Sequence, residues 1–134
     1  MELYREFDFE RKELERISKE QVKLREGIQS YEHKKNENVM VKGELDLLDE
    51  NDVVYKLIGP VLVQQDTSDS KLQVQHRLEL ITKEMSKLDK TYKENELKME
   101  NKRKKMQDLQ EKIITLSKQV EAMRQQQQQQ EQGK

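Results

Sequence analysis

From Leu3 onward the apolar residues of this chain recur in alternating steps of four and three. The series Leu3, Phe7, Glu10, Leu14, Ile17, Gln21, Leu24, Ile28 and Tyr31 is apolar at seven of nine positions. That repeat is the seam of a long helix packed on another helix. Past Tyr31 the phase weakens, but Val39, Val41, Leu45, Leu47 and Leu48 remain available for burial, so a first helix is expected over residues 1–49. A second series, Val74, Leu78, Ile81, Met85, Leu88, Tyr92, Asn95, Met99, Lys102, Met106, Leu109, Ile113, Leu116, Val120 and Met123, is apolar at thirteen of fifteen positions. It follows "SKLQ", where Ser70 as N-cap and Gln73 form a capping-box pattern. A second helix is therefore expected over residues 70–124. Glu79 with Lys83, Glu94 with Lys98, Glu100 with Lys104 and Asp108 with Lys112 supply acid-to-base pairs along it. The run Gln125–Gln130 offers nothing to pack, and residues 125–134 are expected to be a disordered tail.

Between the helices the pattern changes. "DVVYKLIGPVLVQQD", Asp52 to Asp66, concentrates β-branched residues around Gly59 and the only proline, Pro60. It predicts two strands and a turn, so residues 50–69 form a hairpin with its connections. Proline cannot donate to a ladder, which suits it to the turn. The expected fold is mainly α, an antiparallel two-helix coiled coil with one β-hairpin at the connection. A lone hairpin is marginal in water and leaves two hydrogen-bonding edges open. Hairpins from several chains closing a shared β-barrel resolve both problems.

Composition sharpens this picture. The chain has 134 residues, 40% charged and 32% hydrophobic, with two Phe, four Tyr and no Trp. That is too little apolar material for an ordinary compact core. Residues 1–69 carry 11 basic and 17 acidic side chains, and residues 70–134 carry 15 and 10, so the halves attract. Cysteine is absent, which removes disulfide and thiol chemistry. Apolar runs do not exceed three residues and the start, MELYREFDFE, is acidic, so neither a membrane span nor a signal peptide is expected and a cytoplasmic location is.

Candidate chemistry is sparse. His33 and His76 stand alone in charged helices, with no nucleophile and base side by side, so no enzyme, cofactor or metal is expected. A calcium loop starting at Asp49 fails because Val53 occupies a ligand position. The basic run Lys102–Lys105 lacks interleaved aromatic residues and reads as a solvated helix face, not a nucleic-acid site. Seam methionines Met85, Met99, Met106 and Met123 are core by spacing, although methionine also adapts to many partners.

"NVMVKGELDLLDENDVVYKLIGPVLVQQD", residues 38–66, followed by "HRLELITKEM", resembles the β-type subunits of prefoldin. The specific part is VYKLIGPVLV, Val54 to Val63; the resemblance covers about residues 1–124 and departs at Gly43 and in the glutamine tail. It implies a subunit of a hexameric, ATP-independent holding chaperone built from α-type and β-type subunits. Such complexes hold non-native actin and tubulin at the far ends of their coiled coils and pass them to the cytosolic chaperonin. On that footing Val53, Val54, Tyr55, Leu57, Ile58, Gly59, Pro60, Val61, Leu62 and Val63 are the expected assembly residues. Antiparallel pairing about the connection sets Leu3 near position 115, leaving Leu116, Val120 and Met123 without a seam partner. With Leu3, Phe7, Leu109 and Ile113 they are the expected client-binding residues. Polar Glu10, Gln21, Asn95 and Lys102 are expected to loosen the seam there. A coiled-coil spacer in some other assembly accounts for the helices but not for the hairpin.

Overall fold

A computed structural model describes residues 2–133, so the outermost residue of the first and last expected segments lies outside it. Its elements are α1 (Glu2–Asp46), β1 (Val54–Ile58), β2 (Val61–Gln65) and α2 (Thr67–Gln132). The chain divides into two units. The helical unit takes the start of α1 through Val22 together with α2 from Lys93, and the hairpin unit runs from Lys23 to Tyr92.

Within each unit α1 and α2 meet along the four-and-three series. Every seam position from Leu3 to Tyr31 and from Val74 to Ile113 is buried or half-buried. In the hairpin unit Leu45, Val74 and Ile81 are buried. Arg25 donates to the Tyr92 hydroxyl at 2.7 Å, with its guanidinium carbon 5.8 Å from the ring centre. The seam does not lose phase after Tyr31. It continues in the same steps through Lys35, Asn38, Lys42 and Leu45, where lysine stems supply apolar cover while their ammonium groups reach water. Val39, Val41 and Leu47 are consequently exposed, against the expectation of burial.

Both helix ends differ from the expected boundaries. α1 stops at Asp46, where Leu47 and Leu48 N–H groups bond the carbonyls of Glu44 and Leu45 and tighten the last turn. α2 starts at Thr67, earlier than Ser70. The Asp66 carbonyl accepts the Ser70 N–H at 3.0 Å, so Asp66 takes the N-cap place. The Ser70 hydroxyl instead faces Gln65 Oε1 at 3.3 Å. At the other end α2 continues through the glutamine run to Gln132, correcting the expected disordered tail. Glutamine is a fair helix former, and extending an existing helix needs no new nucleus.

The hairpin pairs Val54 with Gln65, Tyr55 with Gln64, Lys56 with Val63, Leu57 with Leu62 and Ile58 with Val61. Gly59 has φ 57°, the left-handed region, and Pro60 holds a negative φ after it. That sign pattern is a type II′ turn, whose twist matches a two-residue hairpin.

Two helical glycines differ in what a methyl group would meet. A Cβ at Gly43 finds nothing within 4 Å, whereas one at Gly27 meets Leu88 Cδ1 at 3.3 Å. Gly43→Ala is expected to stabilise the chain by about 1 kcal/mol and Gly27→Ala by distinctly less. Urea unfolding followed by helical circular dichroism checks the order.

Candidate functional site

The hairpin carries apolar side chains on both faces. Alternation puts Tyr55, Leu57 and Leu62 on one face and Val54, Ile58, Val61 and Val63 on the other. Neither face is covered: Leu57 is 67% exposed and Leu62 64% on the first, and Ile58 55% and Val61 57% on the second. A solvated sheet face is ordinarily polar, so apolar groups on both sides mark a sheet made to be buried on both. Val53, Val39, Met40, Val41, Leu47 and Leu72 are also exposed and extend the apolar surface of the hairpin unit. Apart from Val53, none of these stood out as a site from sequence: Val39, Val41 and Leu47 were weighed only as residues available for burial, and Met40 and Leu72 lie off both the strands and the repeat.

The hairpin is tied firmly to its helices. Thr67, itself buried, donates its hydroxyl proton to the Asp52 carbonyl at 2.8 Å. Lys71 Nζ donates to the Leu48 carbonyl at 3.1 Å, supplying a partner just past the end of α1. The Asp52 carboxylate accepts the Asp49 N–H at 2.7 Å.

The helical unit offers a second surface. Of the expected client residues, Leu3, Phe7 and Ile113 are half-buried. Leu116 is 46% exposed, Val120 45% and Met123 68%, whereas Leu109 is only 4% exposed. Leu3, Ile113, Leu116 and Val120 share a groove of about 600 Å³ with Tyr4 and Arg124. Phe7, Leu109 and Met123 do not line it. Its wall includes Gln125 and Gln128, which the helical glutamine run brings into place.

Two polar seam residues meet each other. Glu10 is buried and accepts from Lys102 Nζ at 2.9 Å and Lys105 Nζ at 3.0 Å. Lys104 pairs with Glu100 at 3.4 Å. Three cations of the basic run are therefore engaged within the chain, and Lys102 is no part of a solvated face. Hydrogen bonds from Lys102 and then Lys105 hold the Glu10 carboxyl below the usual glutamate range, outweighing the burial that pushes it up. His33 is an exposed helix residue beside Glu37 at 3.1 Å. No helix among the described residues is long and apolar enough to cross a membrane.

A paired helical stem bearing one hairpin with two bare faces is the build of a coiled-coil assembly subunit. The known proteins it resembles agree. The family model described as prefoldin subunit matches residues 10–112. Prefoldin subunit 6 of Arabidopsis thaliana is 37% identical over 115 residues, covering 86% of this chain and 89% of that protein. Prefoldin subunit 6 of Homo sapiens is 36% identical over 97 residues, 72% of this chain and 75% of that one. In fold, the crystal structure of the prefoldin beta subunit from Thermococcus strain KS-1 superposes with a TM-score of 0.72 at 17% identity, over 76% of this chain and 90% of that one. The chain belongs to the prefoldin family, whose members are chaperone subunits and not enzymes.

The Glu10 cluster predicts a pH signature. A carboxyl with a depressed folded-state value adds stability above the ordinary glutamate value of about 4.3 and loses it as pH falls through the depressed value. Glu10→Gln is expected to cost roughly 1–2 kcal/mol at neutral pH, less than a fully buried pair because Lys105 remains 59% exposed. Thermal melts from neutral pH to about 3 should show the gap between variant and parent closing below about pH 4.

Proposed function

We propose that this chain is a β-type subunit of a cytoplasmic hexameric prefoldin. Its hairpin, Val53 to Val63, pairs with hairpins of α-type and β-type subunits in a shared β-barrel. In that complex the far ends of the coiled coils hold non-native actin and tubulin through Leu3, Phe7, Leu109, Ile113, Leu116, Val120 and Met123, without ATP, and deliver them to the cytosolic chaperonin. The observation that carries the assembly reading is the hairpin with apolar side chains exposed on both faces. A spacer has no use for such a sheet. The groove at Leu3, Ile113, Leu116 and Val120 supports the client reading.

The strand register selects the assembly test. Val63→Asp would place its carboxylate opposite Lys56, an intramolecular counter-ion. Leu62→Asp faces Leu57 instead and has no such relief. Because Leu62 is 64% exposed in the single chain, the substitution should barely disturb the chain's own fold. Burying that charge in a shared sheet costs several kcal/mol. Native mass spectrometry of the chain co-expressed with five other prefoldin subunits should show six-chain complexes with the parent and a loss of at least about tenfold with Leu62→Asp. Full incorporation of the variant would move the assembly surface elsewhere.

Leu116→Asp with Val120→Asp tests the client surface. Assembly should be unchanged, while suppression of aggregation of urea-unfolded actin should fall. Undiminished suppression would place holding on other residues or other subunits.

A further inference from the structure

Two features of α1 near the hairpin work against the helix that carries them. Gly43 stands inside the helix, where glycine is a poor former, yet a Cβ there would meet nothing within 4 Å, so no contact within the chain calls for it. The last turn of α1 holds Glu44 and Asp46 and no basic residue, so its charge opposes the helix dipole. Asp49 and Glu50 follow, and none of these four carboxylates is in an ion pair among the described residues. The chain's own packing explains neither feature.

The two features share a face. With successive helix residues about 100° apart, Val39, Gly43, Leu47 and Met40 fall on one arc, bordered by Asp46 on one edge and Glu44 on the other. The seam residues Asn38, Lys42 and Leu45 lie on the opposite side. Val39 is 50% exposed, Met40 70% and Leu47 86%. The result is an apolar strip about two and a half turns long, notched at Gly43 and rimmed with negative charge, on the helix end that leads into the hairpin.

Charge and continuity select the occupant. A second copy of this chain would set the same carboxylates against one another, and like charges facing each other are unfavourable. A neighbour joined through the hairpin fits better. α1 ends at Asp46 shortly before β1 starts at Val54, and α2 starts at Thr67 directly after β2. A neighbour of the same build, paired at the usual strand spacing of about 4.8 Å, therefore brings its own helix ends up to this strip. We infer that the Val39, Gly43 and Leu47 face of α1 is a second assembly surface, which takes the end of an amphipathic helix of a neighbouring subunit. That helix presents apolar side chains to the strip and lysine or arginine to Glu44 and Asp46. Gly43 is the point of closest approach, since the missing Cβ lets a partner side chain seat against the α1 backbone. The inference rests on the hairpin assembly proposed above and adds a selection of neighbours by charge.

The test uses the full chain co-expressed with five other prefoldin subunits, parent and variant in competition, with incorporation read by native mass spectrometry. Gly43→Ala raises helix propensity and meets nothing in the chain, so its poor assembly cannot come from poor folding. It should enter six-chain complexes at least about fivefold less than the parent, as overpacking at a closed contact requires. Glu44→Lys with Asp46→Lys improves the match to the helix dipole, yet it too should enter at least about fivefold less. The chain has no cysteine, so Met40→Cys places a single thiol on the strip. Its alkylation should slow at least about tenfold on entry into the complex, whereas a Val22→Cys thiol in the helical unit should react as in the free chain. Equal incorporation of Gly43→Ala, or a Met40→Cys thiol still open in the complex, overturns the inference and leaves hairpin assembly standing. Equal incorporation of the charge-reversed variant overturns the basic partner. A thiol protected already in the free chain at raised concentration assigns the strip to a second copy and overturns the neighbouring subunit as occupant. Failure of the parent itself to form six-chain complexes overturns the hairpin reading and this inference together.

Discussion

A seam between two helices can bury one narrow stripe from each, and this limit governs the rest of the molecule. A four-and-three repeat places about two residues in every seven against the partner helix. The remaining helical surface must be polar, as a chain with 40% charged residues provides. Apolar residues in excess of the stripe have nowhere to go within one chain. Many collect on the hairpin and around it, at Val39, Met40, Val41, Leu47 and Leu72, and others stay exposed along the helices, at Phe9, Val22, Leu80 and Leu97. The need for partner chains is thus a packing consequence of a two-helix stem.

The same limit makes what each unit buries decisive. Hydrogen bonds from Thr67 and Lys71 to backbone carbonyls, together with buried Leu45, Val74 and Ile81, fasten the hairpin to the helices that carry it. Beyond Tyr92 the stripe admits Asn95 and Lys102. Polar seam residues trade stability for register.

Much of this could be read from the chain alone, for identifiable reasons. The seam was legible because a strict repeat persists over many turns, and the hairpin because Gly59 and Pro60 punctuate two β-branched runs. What failed was local competition. Ser70 with Gln73 matches a capping box, but Asp66 sits closer to the strand end and takes the cap. Val39 and Val41 look like seam residues by hydrophobicity, yet the repeat keeps its phase through Lys35 and Lys42, whose stems serve instead. The candidate client set was only partly collected into one place. Leu3, Ile113, Leu116 and Val120 share a groove, while Leu109 is sealed in the seam, a depth that periodicity does not report. The contact of Lys105 with Glu10 was also invisible, because Lys105 lies off the repeat and only side-chain reach brings it in.

Lys56 sits mid-strand opposite Val63, on a hairpin face otherwise shared with Val54, Ile58 and Val61. A newly synthesised copy must wait for partners with two open strand edges and bare valines, the makings of uncontrolled sheet growth. Identical hairpins stacking in register would bring their Lys56 ammonium groups within about 5 Å of one another, strand upon strand. Mutual repulsion then penalises the endless homotypic ladder. A neighbour offering an acceptor at that position suffers no such penalty. One cation in an oily strand therefore penalises the repetition of identical hairpins while leaving both strand edges open.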